Sequence, residues 1–172
     1  MGAPVQYVMT RLQEILDTLA NPDDPEAGCP LSLRPCRIAL YPGESVAYDT
    51  CQSDTCSDGD GQLWANIVSL TRRVGRDRDG GGGSCAEWVL TANVGIIRCG
   101  PMPDAPVDEI VAAANQQAKD ADEILNVLTC CDQLPELSQG LFIPGGWTAI
   151  SEQGGCVGGQ WTVTAVISSC CD

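Results

Sequence analysis

Eleven cysteines and no histidine set the chemistry open to this chain of 172 residues. Thiolates can hold zinc or exchange disulfides, but catalysis by histidine is excluded: neither a Ser-His-Asp nor a Cys-His arrangement can form without one. A cysteine activated at a helix N-terminus is not on offer either, since neither expected helix begins with cysteine. The expectation is a chain with no catalytic residue, and no enzyme.

Four thiolates alone can bind zinc, yet the spacing argues against it. Cys29 and Cys36 are seven apart, Cys51 and Cys56 are five apart, and no Cys-x-x-Cys occurs. The doublets Cys130-Cys131 and Cys170-Cys171 are poor chelators, because neighbouring side chains tend to point apart. No metal and no cofactor is expected. Disulfides suit these thiols better, and Cys51 with Cys56, inside one polar loop, is the easiest pair to close. An odd count leaves at least one thiol free or intermolecular. Asp54, Asp58 and Asp60 resemble a calcium loop in composition only, because the twelfth position from Asp54 is Ala65 rather than the required Glu. They read as a solvated turn.

The elements that must position these residues follow from periodicity. Val5, Val8, Met9, Leu12, Ile15, Leu16 and Leu19 form one helical stripe, and Asn21-Pro22 stops it. Arg37–Tyr41 reads as a short strand closed by Pro42-Gly43. Leu63–Val74 is a long strand of imperfect alternation. In Glu87–Cys99 the alternation is clear, with Trp88, Leu90, Ala92, Val94 and Ile96 on one face. These two long strands form an antiparallel hairpin. Pro106 opens a second helix whose stripe is Val107, Ile110, Val111, Ala114, Ala118, Ala121, Leu125 and Leu128. Its acids Asp108, Glu109, Asp120, Asp122 and Glu123 are assigned to the wet face. Leu141–Ile150 is a strand broken at Pro144-Gly145-Gly146. The last strand lies in GGCVGGQWTVTAVISSCCD, with Trp161, Val163, Ala165 and Ile167 facing the helices.

The fold class expected is α+β: an antiparallel β-sheet with two α-helices packed on one face, in the order α-β-β-β-α-β-β. Residues 1–172 are expected to make a single domain, with flexible loops at about 49–62 and 75–85. The length suits one core that buries ~70% of the unfolded surface. Nine basic against 23 acidic residues give a formal net charge of −14. Such a surface does not grip nucleic acid, whose binding requires phosphates to be neutralised by Lys and Arg. The N-terminal segment lacks the basic start of a signal peptide, Gln6 stands where a myristoylation signal wants Ser or Thr, and no apolar run approaches a membrane span. The expectation is a chain made in a cytoplasm, away from membranes.

The pieces CRIALYPG, LWANIVSL, EWVLTANVGIIRCGPMPDAP, the helix from Pro106 and GGCVGGQWTVTAVIS carry a resemblance. Together they resemble the tail terminator, or tail-completion, family of long-tailed siphophages, in the cysteine-rich form found in phages of actinobacteria. The likeness covers nearly the whole chain through loose patterns. In that family an N-terminal helix precedes a short strand, a long hairpin follows, and a proline-bearing turn (here Pro101–Pro106) leads into the second helix. The resemblance implies a virion structural protein that forms a hexameric ring. The ring caps the tube of major tail tube protein, ends its polymerisation and docks the head-to-tail connector or stopper protein. Viral DNA passes only transiently through the lumen, without sequence-specific binding. The implied place is the virion tail or neck, after assembly in the host cytoplasm. The cysteines and the insertions at Asp49–Gln62 and Arg76–Ser84 depart from the family pattern. Two alternatives remain open: another connector component, of the head-completion or stopper type, and a cysteine-rich metal- or redox-active module.

Overall fold

A computed structural model describes residues 4–20, 31–32, 34–41, 43, 46, 60–74, 86–102, 104–130, 142–153 and 155–169. The element order is α1 (Pro4–Ala20), β1 (Arg37–Tyr41), β2 (Gln62–Val74), β3 (Ala86–Cys99), α2 (Val107–Cys130), β4 (Phe142–Gln153) and β5 (Cys156–Ser169). The expected Cys51–Cys56 bridge and most of the two expected flexible loops lie outside the described residues.

The α+β class holds, with five strands in the order β1-β2-β3-β5-β4. The sheet is mixed, however, and not antiparallel throughout: β1 runs parallel to β2, from Arg37↔Gln62 to Tyr41↔Asn66. A short strand followed by a connection of twenty residues can return to its starting end, and that makes a parallel neighbour. Local periodicity carries no information about this choice. The remaining pairs, β2 with β3, β3 with β5 and β4 with β5, are antiparallel.

Both helices lie on one face of the sheet. Leu12, Ile15, Leu16 and Leu19 of α1 share a core with Leu63 and Ala65 of β2, Leu90, Ala92, Val94 and Ile96 of β3, Val163 and Ala165 of β5, and Ile124, Val127 and Leu128 of α2. Each large side chain sealed there contributes about 1.5–3 kcal/mol relative to exposure. After α1, the Leu31 amide donates to the Leu19 carbonyl (2.9 Å), which satisfies one of the helix's open C-terminal acceptors.

The imperfect alternation of β2 has a structural cause. The register slips between Ile67 and Ser69, so one extra residue, Val68, is bulged out. Leu63, Ala65 and Ile67 face the helices before the bulge, and Leu70, opposite Leu90, faces them after it. In β4 the expected break at Pro144 is instead a bulge. The strand continues from Phe142 to Gln153, with the register stepping from Pro144↔Val163 to Trp147↔Trp161. An edge strand tolerates a proline because its outer N–H positions need no ladder partner.

The stripe expected along α2 splits in two. Ala121 and Leu128 are buried as expected, but Val107, Ile110, Val111, Ala114 and Ala118 are exposed and Leu125 is half-buried. The inward face of the second half is Asp120, Ala121, Ile124, Val127 and Leu128. The helix has 24 residues, so at 1.5 Å per residue it is about 36 Å long. Only its second half lies over the core.

The opposite face of the sheet is sealed near the start of β2, where Gln62, Trp64 and Asn66 are fully buried. Tyr41 ties into this layer by accepting from Gln62 Nε2 (2.8 Å), and the Gly43 carbonyl accepts from Asn66 Nδ2 (3.0 Å). Gly95, opposite Trp64 in the register, must lack a side chain, because a Cβ there would overlap the indole ring.

Candidate functional site

The most heavily bonded polar cluster lies at the end of β3. The inward positions of that strand run Leu90, Ala92, Val94, Ile96, and the next is Arg98. Arg98 therefore points beneath α2, where Asp120 occupies the helix's inward stripe. Arg98 Nε donates to Asp120 Oδ2 and Nη2 to Asp120 Oδ1, both at 2.7 Å, in a buried bidentate pair. Such forked pairs are shorter and stronger than neutral hydrogen bonds. Arg98 Nη1 also donates to the Asp60 carbonyl (2.8 Å), and Gln116 Nε2 donates to Asp120 Oδ1 (3.0 Å). Asp120 thus departs from the wet face expected of it: the side chain is needed to neutralise a guanidinium that the strand carries inward. Neither residue was picked out from the sequence. The signal was present, since Asp120, Ala121, Ile124, Val127 and Leu128 fall at helical spacing and Arg98 continues the parity of β3.

Neighbouring bonds fasten α2 at the same level. Gln117 Nε2 donates to the Gly158 carbonyl of β5, and Trp161 Nε1 donates to the Ala121 carbonyl (2.8 Å). Past the end of α1, the Ser32 amide donates to Glu123 Oε2 (2.9 Å). Arg98, Cys99, Asp120, Gln116, Val157 and Gly158 line a groove of about 310 Å³. The charged groups of this groove are spent on each other and on the backbone. Chemically the arrangement is a clamp joining β2, β3, β5 and α2.

Asp60 is the one member of the acidic loop among the described residues. Its Oδ1 accepts a hydrogen bond from the Cys99 amide (3.3 Å). Cys99 retains its thiol. Partial burial pushes this thiol up from its ordinary pKa, and the charge and hydrogen bond of Asp60 push it further. Cys36 and Cys156 are disulfide-bonded. They are not bonded to each other: β1 and β5 are three strand spacings apart in the order β1-β2-β3-β5, ~14 Å at ~4.8 Å each, whereas a disulfide needs Cα atoms within ~7 Å. Cys156 heads β5, buried beside Ile97 on the face away from the helices and directly opposite Cys99. Asp54, Asp58 and the remaining cysteines, apart from the backbone of Cys130, lie outside the described residues. Among those described, no three Cys, Asp or Glu side chains gather as metal ligands.

The fold and this clamp define a class: an α+β protein with a five-stranded mixed sheet, its two helices on one face and bound to the sheet by a buried ion pair. Compared with known proteins, the chain matches no protein-family model and no curated sequence.

Proposed function

We propose that this chain is a virion structural protein of the tail-terminator kind. It forms a ring, hexameric as the resemblance implies, that caps the tail tube, ends its polymerisation and joins it to the head connector. The observation that carries this reading is the order and pairing of the elements. A helix, a short strand, a long antiparallel hairpin, a proline-bearing turn into the second helix and a closing hairpin follow one another as the resemblance implies. The charge supports it too. A formal charge of −14 lets DNA slide past without being held.

The polar clusters support a structural role over a chemical one. Arg98, Asp120, Asp60, Gln116 and Gln117 all bond to partners within the chain. They stiffen the subunit that must present a fixed surface to its neighbours.

Particles assembled without this protein test the reading. Overlong tails detached from heads are the expected result. Tails of normal length on leaking heads would instead assign the chain to the neighbouring stopper or head-completion role. A purified chain that holds one zinc per subunit, and unfolds when it is chelated, would assign it to a metal module.

A further inference from the structure

Cys99 closes β3 and Cys156 opens β5, and the two are register partners in that antiparallel pair. One step beyond them the Gly100 amide donates to the Gly155 carbonyl (2.6 Å), so Gly100 and Gly155 form a hydrogen-bonded pair. Hydrogen-bonded and non-hydrogen-bonded pairs alternate along an antiparallel ladder, which makes Cys99 and Cys156 a non-hydrogen-bonded pair. Partners of that kind have Cα atoms about 4.5 Å apart, with both side chains on one face. A disulfide accepts Cα separations of about 4.4–6.8 Å. The two sulfurs can therefore bond without moving either strand.

Yet the two cysteines are in different chemical states. Cys99 carries a thiol, whereas Cys156 is already in a disulfide. Its partner there is neither Cys99 nor Cys36, which lies three strand spacings away. A thiol thus stands within reach of a disulfide sulfur, and that is what thiol–disulfide exchange requires. Access favours attack from within the chain. Cys156 is only 7% exposed and packs with Ile97 and Ile150, so dissolved thiols reach its sulfur poorly. Cys99 is exposed and can lose its proton to water. Strand pairing holds it opposite Cys156 at a high effective concentration.

We propose that Cys99 exchanges with the disulfide of Cys156. The Cys99 thiol gives its proton to water, and the thiolate attacks the Cys156 sulfur. A Cys99–Cys156 bond forms as the bond from Cys156 to its former partner breaks. That partner leaves as a thiolate and takes up a proton. One disulfide and one thiol stand on each side of the reaction, so no oxidant or reductant is consumed. With eleven cysteines, a chain bonded only to itself always keeps a thiol, and exchange moves that thiol to a new place. Before exchange, Cys156 ties β5 to another part of the chain. Afterwards its bond joins two strands that are paired anyway, and the part it held is released. This switch is independent of the tail-terminator reading.

The surroundings of Cys99 slow the step. Partial burial, and then the charge and hydrogen bond of Asp60, push the thiol's pKa up. Arg98, next in the strand, points to the opposite face and is engaged by Asp120 and the Asp60 carbonyl. Only the thiolate attacks, so the original pairing persists at neutral pH and yields as the pH rises.

The full chain, oxidised in a glutathione buffer and then freed of it, tests the switch. It is incubated at mildly alkaline pH with a low concentration of iodoacetamide, which caps any thiol that appears. Acid quenching, pepsin digestion and mass spectrometry without reduction then show which cysteines are bonded and which are capped. Molecules joined through Cys99–Cys156 should appear, carrying the cap on a different cysteine. Their share should rise as the iodoacetamide is lowered and should not change when the protein is diluted, since the attack is internal. In Cys99→Ser, an exposed and nearly isosteric change, Cys156 should keep its original bond and the cap on the second cysteine should be lost. A cap confined to Cys99 at every reagent concentration, while circular dichroism shows the chain folded, overturns the exchange. So does a cap on the second cysteine that persists in Cys99→Ser, because another nucleophile would then be responsible.

Discussion

Asp120 of α2 meets Arg98 of β3 through two parallel hydrogen bonds of 2.7 Å, with both side chains almost wholly buried. Taking two charges out of water is costly, and their attraction with good geometry offsets that cost without necessarily exceeding it. Losing one partner is different, because the other charge remains buried alone. Asp120→Ala is therefore expected to lower the unfolding free energy by about 3–5 kcal/mol. The double replacement Arg98→Met with Asp120→Leu should cost much less than Asp120→Ala alone. Urea unfolding of the parent, both singles and the double measures this. Additive losses would show that the pair does not act as a unit.

A second consequence concerns the seat of Trp64. The indole is fully buried on the face away from the helices, and the missing side chain of Gly95 makes its room. Gly95→Ala should lower stability by about 1–3 kcal/mol, the usual cost of overpacking a filled site. In a Trp64→Leu background the part of that cost due to the ring should disappear, leaving the contact with the Gly159 carbonyl oxygen, 2.8 Å from the added Cβ. Equal costs in both backgrounds would mean that the strain comes from the Gly159 backbone and not from the ring.

These two features mark where the sequence was readable and where it was not. The α1 stripe and the alternation of β3 are short-range patterns, and the structure keeps both, with Leu12 and Val94 fully buried. The hairpin of β2 and β3 followed from adjacency. By contrast, the parallel pairing of β1 depends on the path of a long connection, which no local period encodes. The first half of α2 has the same apolar spacing as a buried helix, yet Val107 and Val111 are exposed; spacing tells which residues share a face, not whether anything covers it. The clamp was hidden for a related reason. Arg98 and Asp120 are 22 residues apart, and each alone looks like an ordinary surface charge. Only the parity of Arg98 with Ile96, and of Asp120 with Ile124, pointed inward.

Cys99 offers a prediction with a definite sign in pH. Partial burial, then the charge and hydrogen bond of Asp60, raise its pKa in the folded chain. The fold therefore holds the thiol proton more tightly than the unfolded chain does. The stability this lends is fully present below the ordinary thiol pKa and is lost as pH rises through the raised value. Asp60→Asn removes the charge and should bring the titration down toward the ordinary thiol range, leaving the part due to burial. Iodoacetamide labelling against pH, read on the Cys99 peptide by mass spectrometry, gives the midpoint. An unchanged midpoint in Asp60→Asn would exclude the carboxylate as a cause.

Trp147 and Trp161 extend the argument to the β4–β5 edge. They are register partners with ring centres 5.9 Å apart and planes tilted by 58°. Trp161 is pinned from one side by its indole N–H bond to the Ala121 carbonyl. Trp147 lies over Gly159, where any Cβ would overlap its ring. A tilted aromatic pair is worth about 0.5–1.5 kcal/mol beyond the area it buries, and a double-mutant cycle with Trp147→Leu and Trp161→Leu should recover a coupling of that size. Gly159→Ala pushes the Trp147 ring off its seat while leaving Trp161 and its bond to α2 in place. The same cycle repeated in Gly159→Ala should then show little or no coupling, with the Trp147 fluorescence shifted toward that of a more exposed indole. Full coupling in that background would mean that the rings find each other without the glycine seat.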